Sequence, residues 1–175
     1  LIQTILICIL IIMLTKDNIH TLYEWGKKIK FPLKQAPTSY GYTNKNVDYY
    51  WIKSVKKSTI IRYKFMTERV REIYEKDEIL FSNYVIFYEG TFVKPHRDPD
   101  ILRYPYKRIQ IPLNIPCNKC CYMEWTNIAN GRIKWEEGKP EVCDVMNNTH
   151  QAFNNSDKPI DFLFVDVKLD TEVEI

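Results

Sequence analysis

The second half of the chain is a succession of short apolar runs, and this pattern limits the possible folds more than any other feature. From Ile79 onward, short runs of β-branched and aromatic residues are separated by Gly, Pro, Asn and Asp. The runs are ILFSNYVIFYEGTFVKP, RIQIPLNIP, CCYMEWTNI, GRIKWEEGKPEVCD and IDFLFVDVKL. Short strands separated by turn residues are typical of β-sandwiches and barrels. We therefore predict a mainly β domain.

The first part of the chain has a different character. LIQTILICILIIML contains no charged residue, and we interpret residues 1–15 as a signal anchor or a truncated transmembrane segment. This interpretation makes the protein membrane-anchored. Residues 16–46 contain Pro32, Pro37 and Gly41 and are predicted to form a linker. The folded domain is expected over 47–175, with a helix in IIRYKFMTERVREIYEK, where apolar residues recur on one face.

Charge and cysteine content exclude some classes of function. The formal net charge is only +3, which does not indicate a nucleic-acid partner. The chain has five cysteines, an odd number, and three of them, Cys117, Cys120 and Cys121, lie close together; this does not predict a disulfide framework. A zinc knuckle on Cys117 and Cys120 would need a second pair of ligands, and none follows at the usual spacing. We expect free thiols.

One histidine stands two residues before an aspartate in the stretch KPHRDPD. Side chains at i and i+2 of a strand project to the same side, so His96 and Asp98 can face one ion. A histidine and a carboxylate are two of the three ligands in a 2-His-1-carboxylate metal site. His150 is the other histidine of the β-rich region and is the candidate third ligand. The alternative is a polar turn in which Asp98 caps a backbone N–H.

Several blocks around these residues occur in the order of a known family. YEGTFVKPHRDPDILRYPYKRIQIPLNIP, followed by WEEGKPEVCDVMNNTHQAFNNSDKPIDFLFVDV, resembles the aspartyl/asparaginyl β-hydroxylases, which are Fe(II)- and 2-oxoglutarate-dependent oxygenases. The matching blocks are Gly90-Thr91, Pro95-His96, Arg108 to Gln110, Trp135 to Lys139, Asp144 with His150, and Leu163 to Asp166. The resemblance covers residues 80–168.

The resemblance implies a double-stranded β-helix, a cupin-like jelly-roll barrel with a metal at its mouth. It implies Fe(II) held by His96, Asp98 and His150, with 2-oxoglutarate and O2 as co-substrates. It further implies hydroxylation of a peptidyl Asp or Asn side chain, while a lipid or a free amino acid is an alternative substrate.

The chain departs from the family where the far carboxylate of 2-oxoglutarate is bound. Ile160 stands at the usual position of an arginine, and Val85 at that of a serine. Arg108, Gln110 and Lys158 are therefore the candidate co-substrate ligands, and Arg103 is a further possibility. The competing hypothesis is a non-catalytic cupin-like binding module, or a degenerate oxygenase that has lost 2-oxoglutarate binding.

Overall fold

The computed structural model describes residues 13–35, 47–54, 65–98, 104–129 and 131–175. These residues form helices α1 (Lys16–Lys28) and α2 (Glu68–Tyr74). The strands are β1 (Met13–Leu14), β2 (Lys34–Gln35), β3 (Val47–Ser54), β4 (Ile79–Phe87), β5 (Phe92–His96), β6 (Tyr106–Asn114), β7 (Cys121–Trp125), β8 (Arg132–Lys134), β9 (Glu141–Cys143), β10 (His150–Asn154), β11 (Ile160–Lys168) and β12 (Glu172–Val173).

Two antiparallel sheets make up the body of the domain. The larger has the strand order β2-β3-β4-β11-β6-β9, and the smaller has the order β5-β10-β7-β8. Five of the eight pairs of neighbouring strands in these two sheets are not consecutive in the chain, as in a jelly roll, where successive strands pass from one sheet to the other. The predicted mainly β, double-stranded β-helix fold is confirmed.

Alternation along β11 separates two apolar cores. Phe162 and Phe164 project into the space between the sheets, together with side chains of the smaller sheet such as Met123. Leu163 and Val165 project to the other face of the larger sheet, which the helices cover. This period-two pattern follows from strand geometry, and it places the next inward position of β11 at Asp166.

Helix α1 lies within the segment that the sequence predicted to be a linker. Thr15 caps its first turn by accepting a hydrogen bond from the Asn18 N–H, at 3.3 Å, and Leu22 and Trp25 are buried against the larger sheet. The linker prediction missed this helix because its apolar stripe is narrow and its other faces are polar. Residues 16–28 are therefore part of the folded core.

The expectation of a membrane-anchored protein is wrong for the part of the chain that the structure describes. In these ranges, no helix is long and apolar enough to cross a membrane. At the end of the expected anchor, Leu14 belongs to β1, which pairs with β12 in parallel, and it is buried in the helix-side core. Residues 1–12 of that segment lie outside the described ranges.

Two further predictions are corrected by the structure. Cys117 and Cys120 form a disulfide, whereas the sequence predicted free thiols; Cys121 and Cys143 are free and buried. The observed helix α2 is shorter than the helix predicted from the apolar pattern. It begins only after Thr67, which caps it by accepting a hydrogen bond from the Val70 N–H. The strand predicted in VDYYWIKSV is confirmed as β3.

Lys53 is a buried cation that joins β3 to the end of α2. Its ammonium donates hydrogen bonds to the carbonyls of Tyr74 (2.7 Å) and Lys76 (3.0 Å). We expect Lys53→Met to lower the free energy of unfolding by about 1–3 kcal/mol, because two carbonyls at the helix end lose a charged donor. Chemical denaturation would measure the change, with the exposed Lys34→Met as control. Equal stability of the two variants would contradict this role.

Candidate metal centre

His96 and His150 lie directly opposite each other on neighbouring strands. They are register partners of β5 and β10 in the smaller sheet, and their ring centroids are 4.3 Å apart. On the other side of His150, the ring of Trp125 from β7 makes an edge contact with a centroid distance of 5.7 Å. The sheet register therefore brings together two histidines that are far apart in the sequence.

A backbone carbonyl orients each imidazole. Nδ1 of His96 lies 2.7 Å from the carbonyl oxygen of Lys94, and Nδ1 of His150 lies 3.2 Å from that of Asn148. A carbonyl can only accept, so both Nδ1 atoms carry the proton, and in the neutral form of each ring the lone pair of Nε2 is available to a metal. This arrangement is the usual way in which a protein fixes the tautomer of a metal-binding histidine.

Asp98 completes the cluster from the segment that follows β5. Its backbone N–H donates to the carbonyl of Val145 at 3.0 Å. Its Oδ1 lies 3.2 Å from Nε2 of His96 and 3.7 Å from Nε2 of His150. One donor atom from each of the three residues lies within 4.8 Å of the others. Two imidazole nitrogens and one carboxylate oxygen are a suitable donor set for Fe(II).

Arg108 and Asp166 stand behind Asp98. Arg108 Nη1 is 2.6 Å from the second oxygen of Asp98, Oδ2. Its Nε and Nη2 donate to Oδ1 and Oδ2 of Asp166 at 2.7 and 2.9 Å. The guanidinium also lies 5.0 Å from the ring centroid of Phe164. All three donor nitrogens of Arg108 are thus directed at carboxylates.

The electrostatics of the cluster favour the ligand form of two of its members. Burial opposes the charge of Asp98, but Arg108 and the imidazoles outweigh it and hold the pKa of this carboxyl well below its usual range. Burial lowers the pKa of His150 to about 4. Burial also acts against protonation of His96, yet hydrogen bonds to Asp98 and to the Lys94 carbonyl outweigh it and raise the pKa of His96. Asp98 is ionised and His150 neutral at neutral pH.

Two of the three predicted co-substrate ligands are already bound to other side chains of the protein. Arg108 lies next to the candidate metal ligands, but it is paired with one of them, Asp98. Gln110 is buried, and its Oε1 accepts a hydrogen bond from the indole N–H of Trp135 at 2.8 Å, while its Nε2 lies 3.4 Å from the sulfur of Met123. Its amide is therefore occupied within the core between the sheets.

Lys158, the third predicted ligand, is exposed in the connection between β10 and β11. Its carbonyl accepts a hydrogen bond from Asn154, at 2.9 Å. Asn154 ends β10 four residues after His150, which corresponds to roughly 13 Å along a strand. The backbone of Lys158 therefore lies at the end of β10 that is remote from His150. Arg103 lies outside the described ranges.

The positions expected to bind the far carboxylate of 2-oxoglutarate are apolar and filled. Ile160 and Val85 are both fully buried and pack in one cluster with Phe87 and Phe162. Among the described lysines and arginines, Lys53 alone is buried, and it lies on the helix-covered side, where it contacts the end of α2. The described side chains fit a metal ion, but those at positions 85 and 160 do not provide a cation for a second carboxylate.

Asp166 is the member of the site to which the sequence analysis gave no role, although it is the last residue of a matching block. It lies in IDFLFVDVKL, an apolar strand, and is 1% exposed. A buried carboxylate in such a strand needs a partner, since an unpaired buried charge is costly. The need for a partner could therefore have drawn attention to Asp166 from the sequence alone. Arg108 on the adjacent strand is that partner.

Comparisons with known proteins agree with this fold. Residues 18–169 match the aspartyl/asparaginyl β-hydroxylase family. No curated protein matches the chain. A prolyl-4-hydroxylase from Pseudomonas putida has a similar structure, with a TM-score of 0.56 and 14% identity over 89% of this chain and 88% of that one. A cupin-like protein from Thermotoga maritima has a TM-score of 0.52 and 10% identity over 81% and 82%. At these identities the structural matches show the fold alone.

Proposed function

Because the chain belongs to the aspartyl/asparaginyl β-hydroxylase family, we propose that it is an iron-dependent oxygenase that hydroxylates an Asp or Asn side chain of a peptide. His96, Asp98 and His150 would hold the Fe(II), which supplies the activation of O2 when it is bound. The observation that carries the proposal is the convergence of three donor atoms within 4.8 Å of one another. Three protein ligands leave positions on the metal open for O2 and for a co-substrate.

The surrounding residues prepare this cluster for a metal. The carbonyls of Lys94 and Asn148 hold the two imidazoles with their Nε2 atoms on the side of Asp98. Trp125 packs on His150 and shields one side of its imidazole from solvent. A ligand that is oriented before the metal arrives loses less conformational entropy on binding.

A cleft beside Trp125 is a candidate place for a peptide. Its volume is about 410 Å³. The residues that line it, besides Trp125, are Glu124, Thr126, Ile128, Gly131, Arg132 and Gln151. The mixture of polar groups with the exposed Ile128 suits a peptide better than an acyl chain, since a peptide brings its own polar backbone groups.

A metal-binding module without oxygenase activity is the second candidate. The buried Ile160 and Val85, together with the pairing of Arg108 to two carboxylates, favour it. Hydroxylation by O2 consumes two electrons from a co-reactant, and these residues do not fit 2-oxoglutarate in that role. The turnover assay must therefore be run both with and without 2-oxoglutarate.

A turnover assay separates the two candidates. Protein loaded with Fe(II) would be incubated aerobically with peptides containing Asp or Asn, with ascorbate, and with or without 2-oxoglutarate. In at least one of these two arms we expect mass spectrometry to show a peptide heavier by one oxygen atom. This product should be absent with the variant His96→Ala. Metal binding with no hydroxylated peptide in either arm would favour the binding module.

A further inference from the structure

Asp98 uses its two carboxylate oxygens for different partners. Oδ1 faces the two imidazoles, at 3.2 and 3.7 Å from their Nε2 atoms. Oδ2 faces away from them and lies 2.6 Å from Nη1 of Arg108. A carboxylate held in this way offers a metal one oxygen, and rotation about its terminal bond would break the contact with Arg108.

Arg108 is itself held in place by Asp166. The two residues are register partners on β6 and β11, and two nearly parallel hydrogen bonds join them. A paired fork of this kind fixes the plane of a guanidinium as well as its position. The ring of Phe164 lies beside the same guanidinium and limits its movement further.

The charges of Asp98, Arg108 and Asp166 together suit a divalent cation. One guanidinium between two carboxylates leaves one net negative charge, next to two imidazoles. Without Asp166, the charge of Arg108 would be directed at Asp98 alone and would compete with a metal for this ligand. With Asp166 present, Asp98 keeps its value as an anionic ligand.

From this geometry we infer that Arg108 and Asp166 are positioning residues, which act through Asp98 to present a single carboxylate oxygen to the metal. The inference rests on the proposed role of His96, Asp98 and His150. It gives Arg108 a different task from the predicted one, since its donors serve two protein carboxylates and not the carboxylate of a co-substrate.

Metal titration of Asp166→Asn and Arg108→Lys tests the inference. Residues behind metal ligands typically contribute about 10–100-fold to metal affinity, and we expect a loss of this size for both variants with Co(II). Lysine keeps the charge of Arg108 but cannot bridge two carboxylates as a fork. If Asp166→Asn folds poorly, Asp166→Glu takes its place in the test. This variant keeps a carboxylate and is expected to retain part of the metal affinity.

Asp161→Asn is the matched control. Asp161 is a carboxylate on the same strand that accepts a hydrogen bond from the Tyr84 hydroxyl at 2.7 Å. Thermal unfolding of all variants would be measured beside the titrations. We expect Asp161→Asn to lose stability but to keep wild-type Co(II) affinity, whereas a purely structural role for Asp166 would give both Asn variants the same affinity.

The outcomes distinguish this inference from the proposed function. Wild-type Co(II) affinity in Asp166→Asn and Arg108→Lys would overturn the positioning role and leave the metal centre intact. Absence of Co(II) binding by the wild-type protein would overturn the metal centre, and the inference with it.

Discussion

Replacement of His150 by alanine is expected to weaken the binding of one divalent metal ion per chain by on the order of 100-fold or more. His150 contributes one of the two imidazole nitrogens of the cluster, and its Nδ1 is already fixed by the Asn148 carbonyl. Loss of a group behind a ligand costs about 10–100-fold in affinity, so loss of a ligand should cost on the order of 100-fold or more. Isothermal titration with Co(II) or Mn(II), in the absence of oxygen, measures the effect.

His20→Ala is the control for this experiment. His20 is exposed on α1, on the opposite side of the larger sheet from the metal cluster. We expect His20→Ala to bind metal as the wild-type protein does. Equal metal affinity of the two variants would show that any ion binds elsewhere, and would remove the basis of the proposed function.

Trp135→Ala is expected to lower the free energy of unfolding by about 3–5 kcal/mol, the usual cost of removing a large aromatic side chain from a core. Trp135 is 1% exposed, and its ring packs against Phe87 and Phe162. Its indole N–H is a donor to the buried Gln110, so the variant also leaves a buried amide oxygen without this partner. Guanidinium denaturation followed by circular dichroism would give the difference.

Trp135→Phe separates packing from hydrogen bonding in this prediction. Phenylalanine keeps most of the apolar contacts but has no donor for Gln110. The expected cost is about 1–3 kcal/mol, the usual penalty for leaving a buried polar group unsatisfied. A loss in Trp135→Phe as large as that in Trp135→Ala would show that the hydrogen bond, and not the ring volume, dominates.

The β-rich body and the pairing of His96 with Asp98 could be predicted because both depend on local patterns. Short β-branched runs with turn residues between them predict strands, and the i, i+2 spacing of His96 and Asp98 places both on one side of the chain. His150 followed from the small number of histidines. What the pattern could not give was the register that sets His150 opposite His96, since register depends on how distant strands pair.

The remaining differences come from interactions that sequence periodicity does not record. α1 was hidden because only its tertiary contacts with the larger sheet give its narrow apolar stripe a partner. Arg108 was predicted to bind a co-substrate because its partner Asp166, 58 residues away, was not recognised. Its pairing with Asp98 and Asp166 uses all three of its donor nitrogens.

Anomalous diffraction at the iron edge, from crystals grown without oxygen in the presence of Fe(II), tests the metal centre most directly. The structure predicts one peak per chain, in contact with Nε2 of His96, Oδ1 of Asp98 and Nε2 of His150. Oδ2 of Asp98 should remain on Arg108. An iron peak away from these three side chains, or none in a wild-type crystal with ordered density for them, would contradict the account.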